Sequence, residues 1–184
     1  MYIASKGFAL RGLRIPRFVI NSGDVMNVVW PEPMGRKKEQ LFYEALQGSN
    51  QVDGLDLKTN AALAAPSVPS FLSIPFSKAW ALCAADSILF AILKKYRDGN
   101  AQSKLSDLPL IVRTMVAVAI ASSKSKVVVF STAGLDPTGE NRVLEYVNAK
   151  AKEGWSFILM NFPRMGEVPK SDVEIRIAEP PPQK

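Results

Sequence analysis

One segment near the start of the chain has the order of elements that binds phosphate groups, namely a strand, a loop and a helix. Val25–Trp30 is a short apolar run of the kind found in buried strands, and prolines stop it at once. The residues after Gly35 show helical spacing of apolar side chains and end at Gly48, a typical helix terminator. In phosphate-binding loops, backbone N–H groups and a lysine surround the phosphates, and a Ser or Thr hydroxyl binds magnesium.

The residues of this loop are poorly suited to that chemistry. Pro33 has no N–H to donate, Glu32 adds negative charge beside the expected phosphates, and no Ser or Thr follows the basic residues. The basic run Gly35-Arg36-Lys37-Lys38 is either an anion-binding site at a helix N-terminus or a solvated turn, and we favour the solvated turn. We therefore expect the segment to bind a nucleotide weakly or not at all.

Several other kinds of active site are excluded by composition. The chain has no histidine and one cysteine, so it cannot form a Ser-His or Cys-His nucleophile or the usual zinc ligand sets. The cysteine, Cys83, lies in an apolar run, where a buried thiol is the ordinary outcome. We expect neither a bound metal nor a cofactor.

The order of the elements that surround the loop predicts an α/β fold. Residues 8–20 alternate apolar side chains with arginines and predict edge strands of a small sheet, and residues 49–75 predict strands and loops. The apolar patterns further along predict three helices, at 77–97, at 109–123 with Ser106 as the cap, and at 138–153. They also predict strands at 127–130 and 156–160, and a half-exposed edge strand at 172–177.

Residues 126–160 resemble the C-terminal half of ABC-type (ATP-binding cassette) ATPase domains. In that family a strand leads into the loop Ala-Gly-Leu-Asp-Pro, called the D-loop, which a helix and a second strand follow. Residues 132–137, Thr-Ala-Gly-Leu-Asp-Pro, match the loop residue for residue, and the flanking elements have the same order. Residues 105–109, Leu-Ser-Asp-Leu-Pro, resemble the family signature Leu-Ser-Gly-Gly-Gln, and residues 23–29 resemble the strand that enters the Walker A loop.

The resemblance covers about residues 8–48 and 104–179 and implies a P-loop NTPase-like core. It implies one domain at 1–179, with a small antiparallel β subdomain and a shortened helical subdomain at about 75–104. The proline-rich residues 180–184 are expected to form a disordered tail.

The same resemblance implies that the catalytic groups of the family are missing. The family has an aspartate that binds magnesium and a glutamate that polarises water before the D-loop, but here Phe130-Ser131-Thr132 leads directly into Ala133. Residues 160–163, Met-Asn-Phe-Pro, stand where a switch histidine is expected, and the signature glycines are replaced. The loop at Gly35-Arg36-Lys37-Lys38 then reads as a vestigial nucleotide site. We expect no catalytic residue and no enzymatic activity.

What remains of the family pattern is the part through which ABC domains pair head to tail. The resemblance implies a structural or regulatory subunit that forms a homodimer, or a heterodimer with an ABC-type ATPase, in a membrane-associated transport or secretion assembly. A membrane subunit is a further expected partner. The interface is expected at the signature-like segment and the D-loop, with the residues Ser106, Asp107, Ala133, Gly134, Leu135 and Asp136.

The net charge of +6 and a pI near 9.5 leave a second interpretation open. A basic α/β module could use Arg11, Arg14, Arg17 and the basic run at 36–38 to bind nucleic acid or anionic lipid. Nucleic acid is disfavoured because the basic residues are spread along the chain, and because Trp30, Trp80 and Trp155 do not alternate with basic clusters.

The chain also lacks the patterns of membrane insertion. No stretch reaches the roughly 18 apolar residues of a spanning helix, and the first residues contain no signal-peptide core. We expect a cytoplasmic protein, or one that is peripheral at the inner face of the membrane.

Overall fold

The chain folds around a five-stranded parallel sheet. A computed structural model describes residues 1–30, 36–97, 104–161 and 173–177. The strands of the sheet lie in the order β10 (Val173–Arg176), β5 (Val25–Val29), β9 (Ser156–Asn161), β8 (Val127–Phe130) and β7 (Ala62–Leu63). Every neighbouring pair in this sheet is parallel. The α/β fold predicted from the sequence is confirmed.

Smaller antiparallel sheets pack beside the parallel one. Strands β4 (Phe18–Ile20), β1 (Ile3–Ser5) and β6 (Leu55–Leu57) form a three-stranded sheet in that order. Strands β2 (Phe8–Leu10) and β3 (Leu13–Ile15) form a separate hairpin. The prediction of strands within residues 8–20 is confirmed, and the strands divide between two sheets because Pro16 interrupts the run between β3 and β4.

Six helices are present in the described part of the chain: α1 (Arg36–Leu46), α2 (Pro69–Leu72), α3 (Phe76–Cys83), α4 (Ser87–Arg97), α5 (Leu110–Ser122) and α6 (Pro137–Lys152). The single helix predicted at 77–97 is wrong, since the chain leaves the helix after Cys83 and begins α4 at Ser87. The carboxylate of Asp86 accepts a hydrogen bond from the backbone N–H of Leu89 at 3.0 Å, which caps the new helix.

The start of α5 also differs from the prediction. Ser106 does not cap this helix, because it lies in a separate 3₁₀ turn at Leu105–Asp107. Pro109 occupies the cap position of α5 and makes no side-chain capping bond. Seven of the thirteen residues of α5 are buried and the other six are half-buried, which agrees with the apolar run seen in the sequence.

The parallel sheet carries a hydrophobic core on each of its faces. Val128 and Phe130 of β8 enter the core that α3, α4, α5 and α6 cover, whereas Val127 and Val129 enter the core beneath α1 and the antiparallel strands. This alternation explains why all four residues of the strand are buried. The apolar helices are core elements, and none in the described residues is long and apolar enough to cross a membrane.

The edge strand β10 has the predicted half-exposed pattern, with Ile175 buried and Arg176 exposed. Helices α3 and α4 fall within residues 75–104, the segment predicted to be a helical insertion. The tail predicted at 180–184 lies outside the described residues.

Candidate functional site

The carboxyl ends of the parallel strands lie together at one edge of the sheet, where open α/β sheets bind their ligands. The loop at residues 131–136 follows β8 at this edge. Helix α1 is the next described element after β5. Helix α1 begins at Arg36, so the backbone of Arg36, Lys37 and Lys38 is helical and their interpretation as a solvated turn is wrong. Gly35 and the side chains of these three residues lie outside the described part.

A cavity of about 280 Å³ opens at this edge, between α1 and the ends of β7, β8 and β9. Its lining is largely apolar and includes no carboxylate among the residues described: Gln40, Tyr43, Leu63, Ala64, Val129, Phe130, Ser131 and Met160. The cavity therefore has the position of a ligand site in this class of fold but little polar chemistry.

The polar groups in this cavity are neutral at ordinary pH. Burial raises the pKa of the Tyr43 phenol, and a backbone hydrogen bond with Leu63 only partly opposes this. The amide of Gln40 donates to the Glu44 carboxylate on the same helix at 3.0 Å. These groups can form hydrogen bonds, but none supplies a fixed charge.

The positions where ABC domains have their two carboxylates can be counted back from the matching loop. They fall on Val129 and Phe130, whose side chains are buried in opposite cores. Neither side chain can bind a cation or polarise a water molecule. In the described residues, no cluster of carboxylate, thiol or imidazole groups converges on a metal site.

The loop after β8 is held in one conformation by hydrogen bonds. The Thr132 hydroxyl donates to the Glu140 carboxylate at 2.6 Å, and the Leu135 N–H donates to the Thr132 carbonyl at 3.1 Å. Asp136 caps α6 by accepting the Gly139 N–H at 2.6 Å. Gly134 has a φ of +88°, a conformation that L side chains rarely adopt. The sequence matched the loop but did not reveal the Glu140 contact.

The loop exposes only part of the predicted interface. Ala133, Gly134 and Asp136 are exposed, whereas the side chain of Leu135 lies in the chain's own core. Leu135 thus stabilises the loop from beneath, and the surface that a partner could contact consists mainly of the other three residues. The assignment of these residues to an interface stays a prediction.

The other predicted interface segment lies close to this loop. A Cβ atom at Gly134 would be 3.3 Å from Leu110, the first residue of α5, which follows Asp107 closely in the chain. Ser106 and Asp107 are both exposed. Asp107 accepts hydrogen bonds from the Lys104 N–H and the Ser106 hydroxyl, each at 3.0 Å. The two segments therefore flank the start of α5.

A partly buried polar cluster between the helical segment and α6 was missed by the sequence analysis. Asp86 accepts hydrogen bonds from the Tyr146 hydroxyl at 2.7 Å and pairs with the Lys150 ammonium at 3.1 Å. Lys150 also pairs with Glu153 at 2.9 Å. The signals were an aspartate in an apolar run and a tyrosine four residues before a lysine on one helix.

Hydrogen bonding sets the charge states of this cluster. Burial alone would raise the pKa of Asp86, but the bonds from Leu89, Tyr146 and Lys150 outweigh it, so the pKa lies below its ordinary value. Burial of the neighbouring Cys83 thiol, with the Asp86 charge, raises the cysteine pKa to about 12. Cys83 is therefore a buried neutral thiol, as predicted from its apolar run.

No family model and no curated protein sequence matches the chain. Solved structures do match it. An ATP-binding protein of an ABC transporter from Pyrococcus furiosus is 13% identical, with 96% of this chain and 97% of that chain covered and a TM-score of 0.65. An inward-facing metal-chelate type ABC transporter is 14% identical, with 87% and 72% covered and a TM-score of 0.62.

A third structure is cbiO1 from Clostridium perfringens, part of the ABC transporter complex cbiONQ. It is 14% identical, with 88% of this chain and 79% of that chain covered and a TM-score of 0.59. Identities this low establish the architecture and leave the chemistry to the residues of the site. The chain therefore has the fold of the ABC-type ATPase domain, with a P-loop NTPase-like α/β core and additional antiparallel strands.

Proposed function

We propose that this chain is a non-catalytic, ABC-ATPase-like subunit with a structural or regulatory role. It dimerises with itself or with an ABC-type ATPase in a membrane-associated transport or secretion assembly. The observation that carries this proposal is the contrast between two neighbouring features. The loop at residues 132–136 is held by hydrogen bonds within the chain and exposes Ala133, Gly134 and Asp136, whereas the cavity beside it is lined by Val129 and Phe130 at the carboxylate positions.

The loop has the properties of a contact surface. Its hydrogen bonds come from Thr132, Glu140 and Asp136 within the chain, so its conformation requires no bound nucleotide. A preorganised segment loses little conformational entropy on association, which favours binding. Its small exposed residues, Ala133 and Gly134, allow another backbone to approach closely.

The transporter context of the proposal comes from the proteins with similar structures, which include transporter components. One surface of the helical segment fits contact with a further subunit. Leu82 at the end of α3 and Ile88 at the start of α4 are 50% and 41% exposed, respectively. We assign this surface, in the same proposal, to a membrane subunit.

The association can be tested with Ala133→Arg. Ala133 is exposed, so the fold should tolerate the change while the added charge and bulk block close approach. We expect the dissociation constant, measured by sedimentation for the homodimer or by titration with a co-purified ABC-type ATPase, to rise at least about tenfold. Ala9→Arg at an exposed position of β2, outside both surfaces assigned to partners, is the matched control. A chain that is monomeric and captures no ABC-type ATPase from its host would contradict the proposal.

The absence of nucleotide chemistry has its own test. A ligand that binds only the folded state adds about 2.7 kcal/mol of stability at roughly 100 times its dissociation constant. We expect no change in the thermal midpoint with millimolar Mg-ATP, and no phosphate release above a blank. A clear rise in the midpoint would mean that the altered loop still holds a nucleotide, and the role would become one of ATP sensing.

A second candidate function is supported by the β2–β3 hairpin. Arg11, Arg14 and Arg17 are exposed within seven residues, and none forms an ion pair with a described residue. Such a surface could bind a nucleic acid or an anionic lipid. Phosphate-driven binding collapses between low and moderate salt, whereas an apolar protein interface persists. Titration with DNA and with anionic vesicles at two salt concentrations distinguishes this candidate from the first.

A further inference from the structure

A second cavity lies at the opposite edge of the parallel sheet, where β7 and β8 begin. It is an open depression of about 550 Å³, lined by residues 58–60 before β7 and residues 122–126 between α5 and β8. Every lining residue is a lysine, serine, threonine or asparagine, and three are lysines. The described lining thus has positive charge and hydrogen-bonding groups without a carboxylate.

Stabilisation of the α5 C-terminus does not explain these lysines. Cations often lie at this end of a helix because its last carbonyl groups lack partners. Here those carbonyls are already satisfied. The N–H and the hydroxyl of Ser123 donate to the carbonyls of Ala119 and Ile120, respectively. The carbonyl of Ala121 accepts from the N–H groups of Lys124 and Ser125, and that of Ser122 accepts from the Trp155 indole N–H at 3.0 Å.

The ammonium groups of the lysines are only weakly compensated. The Lys124 side chain is exposed, and its ammonium group forms no hydrogen bond or ion pair with any described residue. Lys58 lies 3.5 Å from Asp56, but both side chains are more than half exposed, and such pairs contribute little. Lys126 lies 3.5 Å from the centroid of the Trp155 ring, which fixes its position without neutralising it. Like charges gathered in a depression raise the local concentration of anions.

Neutral donors complete the site. Thr59 and Asn60 also line the cavity, and their side chains have no hydrogen-bond partner among the described residues. The two halves of the lining are joined by the Ser125 hydroxyl, which donates to the Asn60 carbonyl at 2.6 Å. The same hydroxyl accepts the Val127 N–H at 3.0 Å, so the base of the cavity is fixed by the sheet. Cationic and neutral donors held around a fixed base can together contact the oxygen atoms of an anion.

We infer that this cavity binds a small, multiply charged oxyanion, such as the diphosphate group of a phosphorylated metabolite. A depression of about 550 Å³ has room for a small ligand of this kind. Stacking of nucleic acid bases is disfavoured because Lys126 covers the Trp155 ring, and the cavity has no arginine. The site is at the opposite edge from the cavity near Val129, so it does not depend on the function proposed above.

Inorganic pyrophosphate is the probe for this site, with binding measured by titration calorimetry at low salt. Lys124→Gln removes one charge without breaking a described contact, and it should weaken pyrophosphate binding at least about tenfold. Lys78→Gln removes the same charge from an exposed position of α3 that does not line the cavity, and it should leave binding unchanged. The thermal midpoint of each variant shows that it is folded.

Several results would overturn the inference. Absence of saturable pyrophosphate binding at millimolar concentration would do so, as would equal losses in Lys124→Gln and Lys78→Gln, which would indicate nonspecific attraction to the net charge. A duplex DNA arm tests the other source of phosphate. DNA should be tested for displacement of pyrophosphate, and the loss of affinity caused by Lys124→Gln should be measured for both ligands. If DNA displaces pyrophosphate and its affinity falls more than that of pyrophosphate, the cavity belongs to a nucleic acid surface and the small-ligand assignment is wrong.

Discussion

Arg11 occupies a position in the β2–β3 hairpin that its side chain disfavours. Its φ of +42° is in the left-handed region, and Gly12 follows with a φ of +81°. The two residues join the paired Leu10 and Leu13, so they form a two-residue hairpin loop in which Asn-Gly is the preferred sequence. Arg11→Asn should therefore stabilise the folded state by roughly 1 kcal/mol, measured by chemical denaturation.

The control for this prediction is Arg14→Asn. It removes the same charge from an exposed position on the adjoining strand, where the backbone is extended and asparagine relieves no strain. If both variants gained equal stability, relief of charge repulsion would explain the gain and the argument from backbone conformation would be wrong.

Asn27 is a polar residue at the centre of β5, between the buried residues Met26 and Val28 and paired with the buried Leu159 of β9. Its side chain is fully buried, and among the described residues neither its amide nitrogen nor its oxygen has a hydrogen-bond partner. An unpaired buried polar group costs about 1–3 kcal/mol. Asn27→Leu, which has nearly the same size, should raise the free energy of unfolding by about this amount. Asn27→Asp should lower it, because a charge would be buried. A loss of stability in Asn27→Leu would show that the amide has a partner.

The sequence revealed some of these residue-level features and concealed others. The match at residues 132–137 identified the exposed loop, because its glycine and its capping aspartate are specified locally. The bond between Thr132 and Glu140 and the burial of Leu135 were not predictable, since they depend on how α6 packs against the sheet. The sequence predicted Asn27 as part of a buried strand. It could not show whether the amide has a hydrogen-bond partner, because that depends on the side chains packed around it.

At the scale of elements, the division of the predicted helix at 77–97 has a physical cause that lies far away in sequence. The helical spacing of apolar residues continues through the break, so the pattern gave no reason to divide it. Asp86 ends the first helix region and caps the second while it binds Tyr146 and Lys150 on α6, sixty or more residues later. Local periodicity predicts a helix, but tertiary contacts decide where it is interrupted.

The Asp86 cluster should fix α4 against α6, and Asp86→Asn tests this. Asparagine keeps the capping oxygen for Leu89 but loses the ion pair with Lys150, so we expect about 1–3 kcal/mol of destabilisation at neutral pH. A double-mutant cycle with Tyr146→Phe should give a coupling energy clearly different from zero, because both changes remove one shared hydrogen bond. Additive effects would show that the cluster does not act as a unit.

The same cluster predicts a pH dependence with a definite sign. The pKa of Asp86 is lowered in the folded chain, so its carboxylate adds stability at pH values above the ordinary aspartate pKa near 4. That contribution is lost as the pH falls through the lower native pKa. The stability difference between wild type and Asp86→Asn should therefore be constant near neutrality and shrink in acid. A difference that does not change between pH 7 and pH 2 would contradict the assigned charge state.

At the scale of the whole molecule, the parallel sheet joins two cores that contain different parts of the chain. Residues of β8 and β9 point alternately into the two cores. Unfolding of these strands would therefore expose apolar side chains of both cores at once. Trp30 is fully buried in the core beneath α1, whereas Trp80 and Trp155 pack against the core beneath α5 and α6. The tryptophans therefore report on opposite sides of the sheet.

The shared sheet predicts that both cores unfold in one cooperative transition. A variant with Trp80→Phe and Trp155→Phe keeps only Trp30 as a fluorescent reporter, and Trp30→Phe keeps only the other two. Within each variant, the denaturation midpoint from fluorescence should coincide with the midpoint from far-ultraviolet circular dichroism, because a two-state transition has one midpoint for every probe. Since each comparison is made within one variant, any stability lost by removing a tryptophan cancels. A fluorescence midpoint at lower denaturant in the Trp30-only variant would mean that the face with α1 and the antiparallel strands unfolds first, and that the sheet does not couple the two cores.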